Sequence, residues 1–352
     1  METAEQRLRI ETLRDTVQHN CNISDARHAG DFTLCVYLMK MREFYRWEKG
    51  FAFTDSLDSE DIGQWLRERE QLWEELEGED YRPIEIEGES FEPFDSDAIN
   101  ARLAPLGLVY SAGYGNRNKA HFFLGRLHHR ERRGDTLLYI SDEEFARDLT
   151  APPAMSLQGR IFIRRQSLRR MIWEKVEEWR WNRPDTPMGR AIALQDFERH
   201  PEASLEAMTE NELETLLLHE QGELEAGRLL GPDWERLLAA VPHSRLAFQL
   251  RAVRDNLADC LVTLPGLIEK KDPCSLHFYF ATISNLRRCM AAPLMSGYEY
   301  WYRNNDLAPL QRAVEAGREE WLALGRDILA IYRSEDLDGL PRIQAMIDNV
   351  SV

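Results

Sequence analysis

From about residue 190 to its end, this 352-residue chain shows only helical periodicity, interrupted at Gly231-Pro232, Pro265-Gly266 and Asp272-Pro273. Apolar side chains at that spacing must be covered by other helices, because a single stripe cannot bury itself. Helices are expected near 210–229, 232–240, 245–264, 274–290, 293–303, 307–333 and 336–348. No repeat of about 20–50 residues recurs, which argues against a solenoid. The length exceeds one ordinary core, so at least two domains are expected.

The first half reads differently. Residues 1–18 form a short amphipathic pattern. Ser24 looks like an N-cap for a helix running to about Glu48, with Asp25 in its first turn. Along that helix His28, Phe32, Cys35, Val36, Met39 and Glu43 share one face and Leu34, Leu38 and Tyr45 another, which predicts a buried helix. A helix near Ser59–Glu77 follows, then a linker in which Ile84 and Ile86 alternate with Glu as a short edge strand. Gly107–Gly113, His121–Leu127, Thr136–Ile140 and Arg160–Arg164 read as strands, with Arg133-Gly134-Asp135 as a hairpin turn. Ser141 is read as capping a helix over Asp142–Leu149, and Gln166–Trp181 as a helix. The expected fold is mainly α, a multi-helix bundle with a small α+β insert in the middle of the chain. The divisions are N-terminal helices over 1–53, an acidic helix and linker over 54–98, a small α+β domain over 99–189 and an all-α domain over 190–352.

Charge is uneven. The net charge is −17, yet residues 54–98 hold 17 acidic side chains and three arginines, while residues 111–192 carry 16 basic against 10 acidic. The simplest reading lays the acidic segment over the basic one. Overall acidity argues against nucleic acid and anionic membranes as partners, which need a cationic face. Arg126–Arg133 with Arg164, Arg165, Arg169 and Arg170 is the one stretch that fits RNA. No apolar run of about 18 residues exists, so no membrane-spanning helix is expected. The opening Met1-Glu-Thr-Ala has no signal-peptide pattern, and five cysteines at irregular spacing do not make a disulfide framework, so the expected compartment is the reducing cytoplasm.

Ionisable groups on apolar helix faces mark candidate sites, because burying them unpaired is costly. Cys21, just ahead of the expected helix start, is a candidate nucleophile with His19 or His28 as base; Cys35 is read as packed and inert. Asp25, His28, Glu43 and Glu220 are further catalytic candidates, and Arg27 and Arg46 could hold an anionic substrate or cofactor. Glu220 interrupts the stripe Leu213, Leu216, Leu217, Leu224; His219 and Glu223 lie four apart and can reach one point. A mononuclear metal site would draw on His28, Glu43, His219, Glu220 and Glu223, and its oxygen and imidazole donors would suit Fe or Mn. The di-iron Glu-x-x-His repeat and the His-Glu-x-x-His zinc motif are absent. The competing reading makes these groups interhelical ion pairs. Asp255 and Asp259, four apart on a face too apolar for simple exposure, could meet another helix or subunit, but read best as neutralised by Arg251 and Arg254. His277 in Leu276-His-Phe-Tyr-Phe reads as a core histidine with one hydrogen bond. The glycine-rich loop Ser111–Lys119 leads into a strand, not a helix, and reads as a β-connection instead of a phosphate cradle.

The strings His19-Asn-Cys-Asn-Ile-Ser-Asp-Ala-Arg-His-Ala-Gly-Asp31, Lys40-Met-Arg-Glu-Phe-Tyr-Arg-Trp-Glu48, Leu218-His-Glu-Gln-Gly-Glu223 and Arg254-Asp-Asn-Leu-Ala-Asp-Cys260 resemble an uncharacterised family of bacterial proteins. The resemblance covers most of the chain, implies a bacterial cytoplasmic protein and transfers no activity. Two functions follow from the residues. One is an enzyme or small-molecule binder with a polar His/carboxylate site between helices, either metal-dependent or metal-free. The other is a non-catalytic protein-interaction or scaffold protein, a possible homo-oligomer.

Overall fold

The structure is a computed structural model. It describes residues 4–115, 118–157, 159–242 and 244–350, with side chains from residue 10 onward. The chain divides into two compact units. One holds the chain up to Glu174 together with Pro201–Leu205, and the other holds Lys175–His200 and Glu206 onward.

The first unit begins with helices α1 (Ala4–His28), α2 (Leu34–Lys49) and α3 (Ser59–Leu76), followed by the hairpin β1 (Ile84–Ile86) and β2 (Glu89–Phe91) and helix α4 (Ser96–Leu103). Asp58 starts α3 by accepting the amides of Glu60 and Asp61, two acids that also suit the positive end of a helix dipole. A mixed five-stranded sheet comes next, in the order β3 (Leu108–Tyr114), β4 (Ala120–Arg133), β5 (Thr136–Arg147), β7 (Arg160–Arg164), β6 (Ala154–Leu157). Only β5 and β7 run parallel. The sheet's alternation builds two cores. Leu108, Tyr110, Ala112, Phe122 and Leu124 face Leu13, Val17 and Cys21 of α1, while Val109, Phe123, Tyr139 and Phe162 pack on the other side. Each fully buried Leu, Val or Phe among them contributes about 1.5–3 kcal/mol. Helix α5 (Arg165–Asn182) leads out of the sheet.

In the second unit, α6 (Pro187–Ala193), α7 (Pro201–Leu230, from Glu206 onward), α8 (Pro232–Ala240), α9 (Arg245–Ala258), α10 (Leu264–Lys270), α11 (Pro273–Thr282), α12 (Asn285–Met290), α13 (Ala292–Asn304), α14 (Ala308–Glu335) and α15 (Leu340–Val350) follow one another. Prolines open several of them, where a missing amide costs nothing. The stripe Leu246, Leu250, Val253, Leu257, Leu264 is buried, as its spacing predicts, and joins Trp234, Trp321, Ile328 and Ile343 in one core. The α7 and α9 backbones approach closely: a Cβ on Gly222 would lie 2.6 Å from the Ala258 carbonyl oxygen. Among the described residues no helix is long and apolar enough to cross a membrane.

The mainly helical class and the mid-chain sheet agree with the sequence, but several local expectations fail. No helix begins at Ser24. That serine is buried inside α1, and its hydroxyl donates to the Ala120 carbonyl, so tertiary packing has claimed the side chain read as a cap. The helix ends at His28, and a short turn through Gly30 separates it from α2. The face drawn across residues 28–43 is therefore broken. On α2, Leu34 is 71%, Leu38 46%, Met39 41% and Val36 37% exposed, so that helix is not buried all round. Residues 142–147 continue β5 instead of forming a helix, because β4 is long enough to pair with them, with bulges between Leu124 and His129. The expected helix 245–264 carries a π-turn over Asp259–Thr263. Pro265, four residues after Leu261, cannot accept a regular helical turn, and the widened turn absorbs it. Of the loop Ser111–Lys119, Asn116 and Arg117 lie outside the described residues, as do Met1–Thr3.

Candidate functional site

The residues singled out from sequence divide between the units. Cys21, Asp25, Arg27, His28, Glu43 and Arg46 belong to the first; His219, Glu220 and Glu223 belong to the second. Cys21 sits mid-helix, wholly buried, with its thiol donating to the Phe122 carbonyl at 3.3 Å. Burial, then Asp148 and Asp25, push the thiol well above its ordinary value. No helix N-terminus lies beside it to favour a thiolate, which the nucleophile reading required. His28 Nδ1 lies 3.1 Å from Asp31 at the end of α1. Glu43 is buried against Arg46 at 3.1 Å, with burial raising its carboxyl and Arg46 opposing that shift. Arg46 also donates to the carbonyls of Ala52 and Asp55, and Arg27 to those of Glu77 and Glu79. Both guanidiniums thus close loops. Glu220 is buried on α7. Among the described residues no group of three or more His, Cys, Asp and Glu side chains is placed to hold a metal ion, so the Fe or Mn ligand set is not assembled there.

Asp25 leads instead to a buried polar cluster that the sequence did not announce. Lys119 Nζ donates to Asp25 Oδ1 at 2.7 Å and to Thr150 Oγ1 at 3.2 Å, and lies 3.9 Å from Asp148. Asp25 Oδ2 accepts the Leu149 amide at 2.8 Å. Asp148 Oδ1 accepts the amides of Thr150 and Ala151, and Oδ2 lies 3.1 Å from His121 Nδ1. Ala151 holds a φ of +40°, a strained value for a non-glycine residue, and the two amide bonds to Asp148 keep it there. Burial pushes Asp25 up to about 6 against the pull of Lys119, with Asp148 adding to the rise. Asp148 is held well below its ordinary value because His121 and Lys119 outweigh burial. A Cβ on Gly115 would lie 2.6 Å from His121 Nε2, so the backbone closes over the imidazole. Arg170 donates to the Thr150 and Ala151 carbonyls beneath the cluster, and Arg164 is buried against Glu144, so neither stands on a face that RNA could reach.

In the second unit, Asp259 opens the π-turn and is wholly buried. It receives the Tyr279 hydroxyl at 2.6 Å and pairs with Arg287, and His219 Nδ1 lies 3.0 Å from its Oδ1. Tyr279 comes from α11, Arg287 from α12 and His219 from α7, so three helices fix one carboxylate. The His219 side chain is 27% exposed. Its Nε2 lies 3.5 Å from Glu223 Oε1, beyond good hydrogen-bonding distance. Arg254 reaches Glu223 at 3.3 Å and Asp255 at 3.4 Å. Burial lowers the imidazole's affinity for a proton, but Glu223 more than reverses this and the net shift is upward. Glu223 falls to about 2, since His219 and Arg254 outweigh burial. Arg254 Nε and Asn256 Nδ2 are buried without a hydrogen-bond partner among the described residues.

The sequence marked His219, Glu223, Arg254 and Asp259, though it paired Asp259 with Arg251 or Arg254, whereas the structure gives it Arg287, Tyr279 and His219. It missed Lys119, His121, Asp148, Tyr279 and Arg287. Lys119 stood in a loop read as a plain connection, and Asp148 in a segment assigned to a helix. His277 behaves as its apolar neighbours suggest: it is buried and shares one hydrogen bond, at 2.8 Å, with the Tyr298 hydroxyl.

Two family models match the chain. One is described as the N-terminal domain of a family of unknown function (DUF6866) and covers residues 12–164; the other is described as the C-terminal domain of that family and covers residues 169–350. No curated protein and no solved structure matches.

Proposed function

The chain belongs to the two-domain DUF6866 family of unknown function, and from that premise we propose that its second unit is a proton-transfer site for a small polar ligand, with His219 as the acid–base group. The observation that carries this reading is the half-buried imidazole backed at Nδ1 by a wholly buried, triply held aspartate. Such backing selects one tautomer and aims Nε2 outward. A ligand's polar atom would sit beside the Nε2–Glu223 pair, which is 3.5 Å apart, and touch both. Glu223 favours the protonated ring, so His219 is suited to donate a proton near neutral pH and take it back in the return step. No metal is part of this reading, because the required donors do not converge.

One observation favours the scaffold reading instead. Glu223, Asp255 and Asp259 are faced by His219, Arg254 and Arg287, so these charges balance within the cluster. The test separates the two. The full chain is screened by thermal shift against small carboxylates, phosphates, amides and carbonyl compounds, and each compound that raises Tm is assayed for turnover. The expected result is a ligand that still binds His219→Gln while its turnover falls by about 10²–10⁴-fold. If no compound stabilises the protein, or turnover survives the substitution, the cluster is only an ion-pair lattice.

A further inference from the structure

We propose that Lys119 and Asp25 in the first unit condense into an isopeptide bond, a covalent tie that the chain makes for itself between α1 and the start of β4. The groups such a bond needs already stand together. Lys119 Nζ lies 2.7 Å from Asp25 Oδ1, the Leu149 amide donates to Oδ2 at 2.8 Å, and a second carboxylate, Asp148, lies 3.9 Å from the same nitrogen. Asp25 and Asp148 are wholly buried, and Lys119 is only 6% exposed. Leu149 and Ala151 are buried beside them, which keeps bulk water from the pair. One ammonium shared between two buried carboxylates is costly, because charges taken out of water are poorly repaid even when paired. An amide removes one charge of each sign and releases a water molecule.

The two acids are tuned apart, and this assigns their roles. Burial pushes Asp25 up to about 6, toward the uncharged acid that an amine can attack. Against burial, His121 and Lys119 hold Asp148 well below its ordinary value, so it stays a base. Burial also works against the charge on Lys119, but Asp25 and Asp148 more than restore it. The pair therefore rests as ions, and condensation is a slow maturation step. A proton first passes from Lys119 Nζ to Asp25 Oδ1 along their hydrogen bond. The freed lone pair attacks Asp25 Cγ, while the Leu149 amide steadies the negative charge that gathers on Oδ2. Asp148 takes a second proton from the nitrogen and passes it to Oδ1. The Cγ–Oδ1 bond breaks, water leaves and an amide with one N–H remains. Atoms and charges balance, and no further reactant is consumed. Asp25 then has no carboxyl to titrate, so its pH response belongs to the chain before the bond forms.

The test is mass spectrometry of the full chain, incubated folded at neutral pH and then denatured. The intact mass is expected to fall short of the uncondensed chain by one water molecule. Trypsin is expected to release residues 15–27 joined to residues 118–126, uncut after Lys119. Lys119→Arg keeps the charge without the reactive amine and is expected to show neither change. Asp148→Asn is expected to slow the appearance of the joined peptide by about 10²–10⁴-fold; should that variant not fold, the wild-type peptides still decide. The proposal is overturned if the two peptides are recovered only apart after long incubation, if the missing water is traced to another residue, or if folded Asp148→Asn condenses at the wild-type rate.

Discussion

Each unit contains an aspartate–histidine pair, and the two pairs are nearly equal in length: His121 Nδ1 to Asp148 at 3.1 Å and His219 Nδ1 to Asp259 at 3.0 Å. Both aspartates are wholly buried. The difference lies on the far side of the ring. Gly115 packs against His121 Nε2, whereas His219 Nε2 lies 3.5 Å from Glu223 and the His219 side chain is partly exposed. One pair is locked on every side and holds α1, β4 and the segment after β5 together. The other leaves a nitrogen that can exchange a proton. What covers the second nitrogen, and not the presence of the pair, separates a structural lock from a reactive group.

The sharpest way to break this comparison is to remove the counter-charge of the locked cluster. Lys119→Met leaves Asp25 and Asp148 facing each other in a dry site, and is expected to destabilise the first unit by about 3–5 kcal/mol, measured by urea unfolding. A loss below about 1 kcal/mol would mean that water reaches the cluster, and the contrast in depth would disappear.

A smaller effect sharpens the contrast through pH. His219 is raised above 6.5, so its stabilising contribution is complete below 6.5 and is lost as pH rises through the folded value. Glu223 is lowered to about 2, so its contribution is present above 4.5 and is lost as pH falls toward 2. Hydrogen exchange in α7 and α9 is therefore expected to be slowest, after correction for the intrinsic rate, between about pH 4.5 and 6.5, with that optimum absent in His219→Gln. Asp25, raised to about 6, works in the same sense as His219 and against Glu223, but at lower pH: its contribution is complete below 3.8 and fades as pH rises through 6, weakening protection in α1 and β4. Identical pH profiles in the two units would contradict the distinction.

The smallest effect concerns a helix that the sequence predicts to be buried. Leu38→Gln on α2 is expected to change stability by no more than about 0.5 kcal/mol, because the side chain is 46% exposed. A cost of about 2 kcal/mol or more would place that face in a core.

Much of the fold was legible because it rests on local rules. The stripe from Leu246 to Leu264 and the prolines at 232 and 273 mark helices through periodicity and the missing amide. The turn at Arg133-Gly134-Asp135 marks its hairpin, and Gly134 takes a φ of +58°. The errors came where a distant partner overruled a local preference. Ser24 has the chemistry of a cap, but Ala120 takes its hydroxyl; Asp142–Arg147 can form a helix, but β4 offers a ladder. The site was half legible for the same reason. His219, Glu223, Arg254 and Asp259 fall at helical spacings, whereas Tyr279 and Arg287 come from α11 and α12 and reach Asp259 only through tertiary packing.

By itself the sequence determined the succession of helices in the second half, where prolines break them, which stripes are apolar and how acidic the chain is, since each depends on residues within a turn or two of one another. The tertiary structure alone decided which polar groups meet, which imidazole stays partly open and where α1 ends. Burial and charge pairing depend on side chains brought together from far along the chain, and an ionisable group's behaviour follows from what surrounds it.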